Sequence, residues 1–465
     1  MTEHLSPLDA AFLDVEDEVP EVSMAIASIA VMEGPPPSRQ ELVAAMRRRL
    51  PLVPLYRQKA RQLPFDLGAP VLVDDPDFDL DRHIRHASVA EPGDDAALCE
   101  RIGEIMSQRL DRERPLWEYW LLDGLSSGRW ALVSKVHHCL VDGISGANLY
   151  YVLFDLSPDG DQREAPLDAY APDPEPSTPH LIAGAVRDLV LNPIEQLRMI
   201  GEALRTPRAT AQRIADTARG LLTFAGSLWP AARSTLSGPI GEQRRYAVAR
   251  ASLTEMKQAA RQAGASLNDV ALSAIAGAFR SLLLHRGEEP HPHAVRTAVP
   301  VSVRAPGDEG MCANRISVML ALLPVHLADP GERLQAVHAH LTELKASMEA
   351  QAGEAMTTLA RHEPFPPVSW VIRLLARLPQ RTVVTVTTNV PGPPVPLYLL
   401  GRRALELFPY VPIIARLRTG VSVFSYCDQV TFGVTGDYDT VPEVERFALA
   451  IEEELGKLVN TVAAA

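Results

Sequence analysis

Residues 130–145 read WALVSKVHHCLVDGIS, and the parsing of this stretch decides the fold. A β-favouring apolar run ends in two adjacent histidines, His137 and His138. Asp142 and Gly143 punctuate the run, and ISGANLYYVLFDL follows with the apolar content of a helix. The segment therefore predicts a strand (ALVSKVHH), a tight turn (CLVDG) and a helix. On a strand, side chains alternate between faces. Leu132, Ser134, Val136 and His138 would share one face, and Val133, Lys135 and His137 the other. Two histidines on opposite faces cannot both reach one reacting atom, so one is expected to work and the other to support it.

His138 is the better base, because Asp142 and the helix beyond lie on its side of the turn. Imidazole suits this task, since its reference pKa of about 6.5 leaves it mostly neutral near pH 7. A helix starting near Ser145 would lower that value a little, and a nearby carboxylate would raise it. Gly143 fits a backbone position of positive φ or close approach. A metal reading would pair His138 with Asp142, but there is no H-E-x-x-H and no clear third ligand, so no metal is expected. Cys139 would point away from His138 on a strand and reads as a buried thiol rather than a nucleophile. A base without a protein nucleophile suits direct transfer: it takes a proton from an acceptor hydroxyl, which attacks an activated acyl group.

Working outward, 465 residues with 46% hydrophobic content and mean hydropathy of -0.01 imply a globular protein of two domains. A net charge of -13 argues against nucleic acid as a partner. The four cysteines, Cys99, Cys139, Cys312 and Cys427, show no C-x-x-C spacing, as expected of reduced thiols in the cytoplasm. The acidic N-terminal stretch has no apolar h-region of a signal peptide, and no uninterrupted apolar run reaches bilayer-spanning length. Contact with lipid, if made, would be peripheral.

VSMAIASIAVME (22–33) reads as the first buried strand, and SRQELVAAMRRRL as a helix whose Ser38 and Glu41 have capping-box spacing. DDAALCERIGEIMSQRL reads as a second helix. Residues 158–179 are proline-rich and acidic, a linker. Residues 180–233 read as amphipathic helices with seven arginines against four acids, and with Phe224 and Trp229 near their end. Beyond about residue 245, SLNDVALSAIAGAFRSLLL reads as a helix. VRTAVPVSVR, RISVMLALLPV and RTVVTVTTNV read as strands, VSVFSYCDQVTFGVTG as a hairpin, and VPEVERFALAIEEELGKLV as a closing helix. PHPH (290–293) reads as a loop and VHAH (337–340) as a solvated helix face. The expected architecture is an α/β (α+β) chain of two layered domains, residues 1–179 and 241–465. A helical connector at 180–240 would join them, with a cleft between.

HHCLVDG resembles the HHxxxDG motif of the chloramphenicol acetyltransferase-like acyltransferases. The rest of the chain resembles the bacterial wax ester synthase/diacylglycerol acyltransferase family, nearest its mycobacterial-type triacylglycerol synthases. The resemblance runs nearly end to end, through LSPLDAAFL (5–13), DRERPLWE (111–118), GPIGEQRRYA (238–247), SLNDVAL (266–272), VPVSVR (299–304), LPQRTVVTVTTNVPGP (378–393) and FGVTGDYD (432–439).

It implies two chloramphenicol acetyltransferase-like domains with mixed sheets, helices and an interdomain tunnel. It also implies an acyl-CoA donor and diacylglycerol or a long-chain alcohol as acceptor, with no cofactor. By carry-over, His138 is the general base and His137 its neighbour, while Asp142 and Gly143 shape the turn. Arg304 is the expected partner of Asp142. Asn268 is a candidate donor to the oxyanion, although Asn268 and Asp269 could simply cap their helix. Trp117, in the PLW element, is expected to pack the strand leading into the site. Rival readings are a condensation-type enzyme with a carrier-bound donor, a glycerolipid acyltransferase reading of His137-x4-Asp142, and a non-catalytic lipid-surface protein.

Overall fold

The computed structural model describes residues 3–63, 69–140, 153–160, 171–177, 179, 234–302, 316–355, 383–414 and 416–464. The first half begins with β1 (Glu3–His4), α1 (Pro7–Glu18), β2 (Ala25–Met32), α2 (Arg39–Arg49), β3 (Gln58–Arg61) and β4 (Val71–Asp74). It continues through α3 (Leu80–His83), β5 (Ile84–Ser88), α4 (Asp95–Ser107), β6 (Trp117–Asp123) and β7 (Trp130–His137). The second half holds β8 (Arg244–Ser252), α5 (Leu253–Gln262), α6 (Leu267–His285), β9 (Val295–Ser302), β10 (Ile316–Leu323) and α7 (Pro330–Ala355). It ends with β11 (Thr385–Val390), β12 (Tyr398–Leu399), β13 (Arg402–Tyr410), β14 (Thr419–Tyr426), β15 (Gln429–Asp437) and α8 (Val444–Ala464). One six-stranded sheet has the order β12-β13-β2-β7-β6-β5, another β10-β9-β11-β14-β15-β8, and β1-β4-β3 form a small third. The expected mixed α/β layering is present in both halves.

Local chemistry explains most element ends. Ser38 caps α2 and Glu41 returns the bond to the Ser38 backbone, so the capping box forms as its spacing predicts. β7 alternates as expected: Trp130, Leu132 and Val136 join the apolar cluster under α2, whereas Ala131 and Val133 join the one under α1 and α4. Lys135 lies on this second face, fully buried, and its Nζ donates to the carbonyls of Ile105 and Gln108 at 2.8 and 2.5 Å. A cation thus occupies the negative C-terminal end of α4. Burial pushes it down to about 8 against the opposing charges of Glu118 and Glu16.

β12 and β13, late in the chain, complete the first sheet, a pairing that no local pattern in the sequence announces. β13 runs antiparallel to β2, with Phe408 opposite Ile29. It also lies across the β14–β15 hairpin, which explains the FGVTG pattern. Phe432 and Val434 face the core of the second half, while Thr431, Gly433 and Thr435 face β13. Thr431 donates to the Leu407 carbonyl at 2.6 Å and Thr435 to that of Val411 at 2.8 Å. Between them, the Pro409 carbonyl fills the space over Gly433 and accepts from Tyr246 and Ser422 at 2.7 and 2.9 Å. Hydroxyls four residues apart on one strand thus satisfy carbonyls four residues apart on the other, and the residue midway between them, Gly433, must lack a side chain.

Two smaller readings change. VHAH is not a free solvated face: His338 bonds Asp269 at 2.8 Å, and His340 accepts from the Leu322 N–H at 3.2 Å. The hairpin turn falls on Cys427 and Asp428, with Gln429 already in β15. PHPH is an exposed loop, as expected. Among the described residues, one helix (Leu267–His285) is long and apolar enough to cross a membrane, but it is the buried core helix of the second half.

Candidate active site

The predicted strand ends one residue early. His137 is the last residue of β7, and His138 opens a single 3-10 turn, His138–Leu140. This break interrupts the alternation that would have sent the two rings to opposite faces. Both instead meet α1: the His138 ring lies 3.9 Å from Phe12, and His137 Nε2 lies 3.5 Å from Glu16 Oε2. Phe12 and Glu16 are one helical turn apart and share a face.

Hydrogen bonds define the His137 ring. The Cys139 N–H can only donate, and it donates to His137 Nδ1 at 3.2 Å. His137 Nδ1 is therefore the acceptor, and in the neutral ring the proton sits on Nε2, facing Glu16. Burial lowers the His137 pKa, and Glu16 opposes that shift. Burial alone would raise the Glu16 carboxyl, but His137, the Met24 N–H and Arg112 together hold it below the ordinary range. Arg112 Nε lies 3.2 Å from Glu16 Oε2. The site thus pairs a neutral histidine with a buried carboxylate anchored by arginine.

Glu16 also reaches His138 through one peptide. Its Oε1 accepts the Met24 N–H at 3.0 Å, and the Met24 carbonyl accepts the His138 N–H at 2.9 Å. Arg109 secures the same corner, donating to the carbonyls of Val22 at 2.9 Å and of Glu16 and Val19 at 2.6 Å. Burial pushes His138 down to about 4, its own carbonyl opposing and His137 adding to the shift. That departs much further from 6.5 than the sequence reading expected. Its Nδ1 is buried and has no hydrogen-bond partner among the described residues. Cys139 is buried and its thiol is pushed well up by burial, so it holds no ready thiolate.

Asp142, Gly143 and Arg304 lie outside the described residues, as do the expected helix after the turn and the arginine-rich 180–233 segment. Trp117 is core, as expected: it stacks between His83 and Tyr56 at 4.4 and 4.6 Å and donates to the Tyr56 carbonyl at 2.8 Å. Asp269 is the return arm of a capping box with Ser266 on α6. Asn268 does not cap that helix; its Oδ1 accepts from Asn389 Nδ2 at 3.2 Å. No described contact joins Asn268 to the histidines. Among the described residues, no group of three His, Cys, Asp or Glu side chains gathers as a metal site requires.

Glu16 and Phe12 were missed because DVEDEVPE reads as a solvated acidic run. The usable signal was Ser6-Pro7-Leu8-Asp9, an N-cap followed by proline and an acid in the first turn. Ser6 does cap α1, accepting from the Asp9 N–H at 3.1 Å. A helix there puts Phe12 and Glu16 on one face.

A family model described as the wax ester synthase/diacylglycerol acyltransferase catalytic domain matches residues 5–271, and its C-terminal domain model matches 312–459. The chain belongs to the wax ester synthase/diacylglycerol acyltransferase family. It is similar to a probable diacylglycerol O-acyltransferase of Mycobacterium tuberculosis, 41% identical over 98% of this chain and 96% of that one. The wax ester synthase/diacylglycerol acyltransferase of Marinobacter aquaeolei VT8 superposes with a TM-score of 0.68 at 27% identity, covering 99% of this chain and 100% of that one. The starter condensation domain of rhizomide synthetase shares the fold alone, with a TM-score of 0.57 and 16% identity over 100% of this chain and 95% of that one. As an acyltransferase of this family, the chain has its histidine pair in the matched catalytic domain.

The Glu16 contact carries a prediction. Glu16→Gln keeps the shape but removes the charge that faces His137. The contact at 3.5 Å is a charge facing the ring rather than a hydrogen bond, and an opposite charge at this range is worth about one pKa unit or more, so kcat should fall by about 10-fold. The protein should stay folded by circular dichroism. A wild-type kcat in this variant would remove Glu16 from the site.

Proposed function

We propose that this acyltransferase moves a long-chain acyl group from acyl-CoA to the hydroxyl of diacylglycerol, giving triacylglycerol, and also accepts long-chain alcohols. The observation that carries the reading is the pair of histidines at the end of β7. One is buried, neutral and backed by a carboxylate; the other is a partly accessible base with no reactive thiol beside it.

In this mechanism His138 takes the proton of the acceptor hydroxyl as its oxygen bonds to the thioester carbonyl carbon. The resulting oxyanion collapses, the C–S bond breaks, and the imidazolium returns its proton to the departing thiolate. Ester and free CoA leave, and atoms and charges balance without an acyl-enzyme. A base lowered by burial is fully neutral at pH 7 but weak, so proton transfer must be concerted with attack. The growing oxyanion then offsets the imidazolium charge. Asn268 donates to that oxyanion. Donor and acceptor enter an interdomain tunnel from opposite mouths, and the enzyme is cytoplasmic, with its contact to a membrane or lipid-droplet surface peripheral.

The test is product analysis with labelled palmitoyl-CoA against diacylglycerol and hexadecanol in parallel. Labelled triacylglycerol with release of one CoA per ester supports the reading. Labelled wax ester alone would restrict the acceptor to alcohols, and hydrolysis alone would overturn it.

A further inference from the structure

We infer that Asn389 is a positioning residue for Asn268, fixing which end of its side-chain amide is free to donate. The inference rests on the proposed reading of Asn268 as the oxyanion donor. At the start of α6, Ser266 and Asp269 satisfy each other's backbone N–H groups at 3.2 and 2.8 Å, so Asn268 has no capping duty. Its carbonyl oxygen accepts from Asn389 Nδ2 instead, at 3.2 Å. An amide whose oxygen is engaged in this way presents its NH2 to whatever lies on its other side. Asn268 Nδ2 has no partner among the described residues.

The strand that carries Asn389 is built for this contact. Thr385, Thr387 and Asn389 share one face of β11, where the row TVTTNV departs from an apolar strand. Thr385 and Thr387 are buried, and Thr387 accepts a hydroxyl bond from Thr297 on β9 at 2.8 Å. Asn389 ends this polar row with Asn268 as its acceptor. The neighbouring Val390 packs against the apolar cluster that includes Val136 of β7 and contacts Leu140. Immediately beyond, Gly392 donates to Ser425 Oγ at 3.1 Å and the chain passes to β12 in the first sheet. The pair therefore sits where the two sheets meet.

Without the Asn389 donor, the Asn268 amide can rotate and present its oxygen, which repels an oxyanion. Asn389→Asp is the more telling variant: it is nearly isosteric, cannot donate as a carboxylate, and accepts the Asn268 NH2 itself. Steady-state kinetics with acyl-CoA and acceptor, alongside Tm, test this in four variants. Asn268→Ala should lower kcat by about 10²–10³-fold, the cost of one oxyanion donor. Asn389→Asp should approach that loss and Asn389→Ala should lose about 10-fold, both with unchanged KM for acyl-CoA. Asn268→Ala combined with Asn389→Ala should be no slower than Asn268→Ala alone. If Asn268→Ala is impaired while both Asn389 variants keep wild-type kcat, or if the losses multiply, Asn389 has no positioning role. If Asn268→Ala itself turns over at the wild-type rate, the donor reading fails first. A lowered Tm with kcat intact in the Asn389 variants would mark a purely structural contact and overturn the inference.

Discussion

His138→Ala is expected to lower kcat by about 10²–10⁴-fold, the usual contribution of a positioned general base, while leaving the fold in place. The structural part of this residue is its backbone N–H, which bonds the Met24 carbonyl at 2.9 Å and is kept by alanine. The side chain contributes a ring contact with Phe12 and no hydrogen bond through its buried Nδ1 among the described residues. Tm should therefore move little. His137→Ala is a poorer test, because it also strips the Cys139 N–H of its acceptor and Glu16 of its neighbour.

The same base sets the acid side of the pH profile. His138 works only when neutral, and its folded-state pKa is lowered to about 4. Activity should therefore persist as pH falls through 6.5, where an ordinary histidine would protonate, and decline only toward pH 4. An acid limb near 6.5 in kcat/KM, or near-wild-type activity in the alanine variant, would contradict the assignment.

The second large effect is on stability. Gly433→Ala would place a methyl carbon 1.8 Å from the Pro409 carbonyl oxygen and 2.7 Å from the Tyr246 hydroxyl. The oxygen belongs to the backbone of β13, which is held on its other side by pairing with β2, so it cannot retreat cheaply. Separating the strands would also break the bonds that Tyr246 and Ser422 donate to that oxygen. Overpacking of this kind costs about 1–3 kcal/mol, and the two lost bonds add about 1 kcal/mol each. The denaturant midpoint should drop accordingly. A midpoint equal to wild type would mean that β13 does not cross the hairpin at this point.

The sequence made the layered architecture and the position of the histidine pair at a strand end legible through short-range signals: the period-two pattern of β7, the capping box of α2 and the PLW core position. It hid what depends on distant pairing. RRALELFPY gives no local sign that it crosses to the first sheet beside β2, and the reason for FGVTG appears only when β13 lies over it. Strand alternation predicted opposite directions for His137 and His138, but the strand stops between them and a 3-10 turn brings both rings to α1. Glu16 was invisible among neighbouring acids until the Ser6 cap turned that acidic run into a helix with one buried face. Asn268 and Asp269 looked alike as possible caps, and only the structure divides them, making Asp269 the return arm of the box capped by Ser266 and giving Asn268 an amide partner.

The central claim is direct transfer by a histidine base. A single-turnover experiment tests it most directly, with enzyme in excess over labelled acyl-CoA, quenched with and without diacylglycerol. Direct transfer predicts that CoA release and labelled triacylglycerol appear together at one rate, only when acceptor is present, and that no label stays on the denatured protein. A burst of CoA without acceptor, leaving label covalently on the chain, would contradict it.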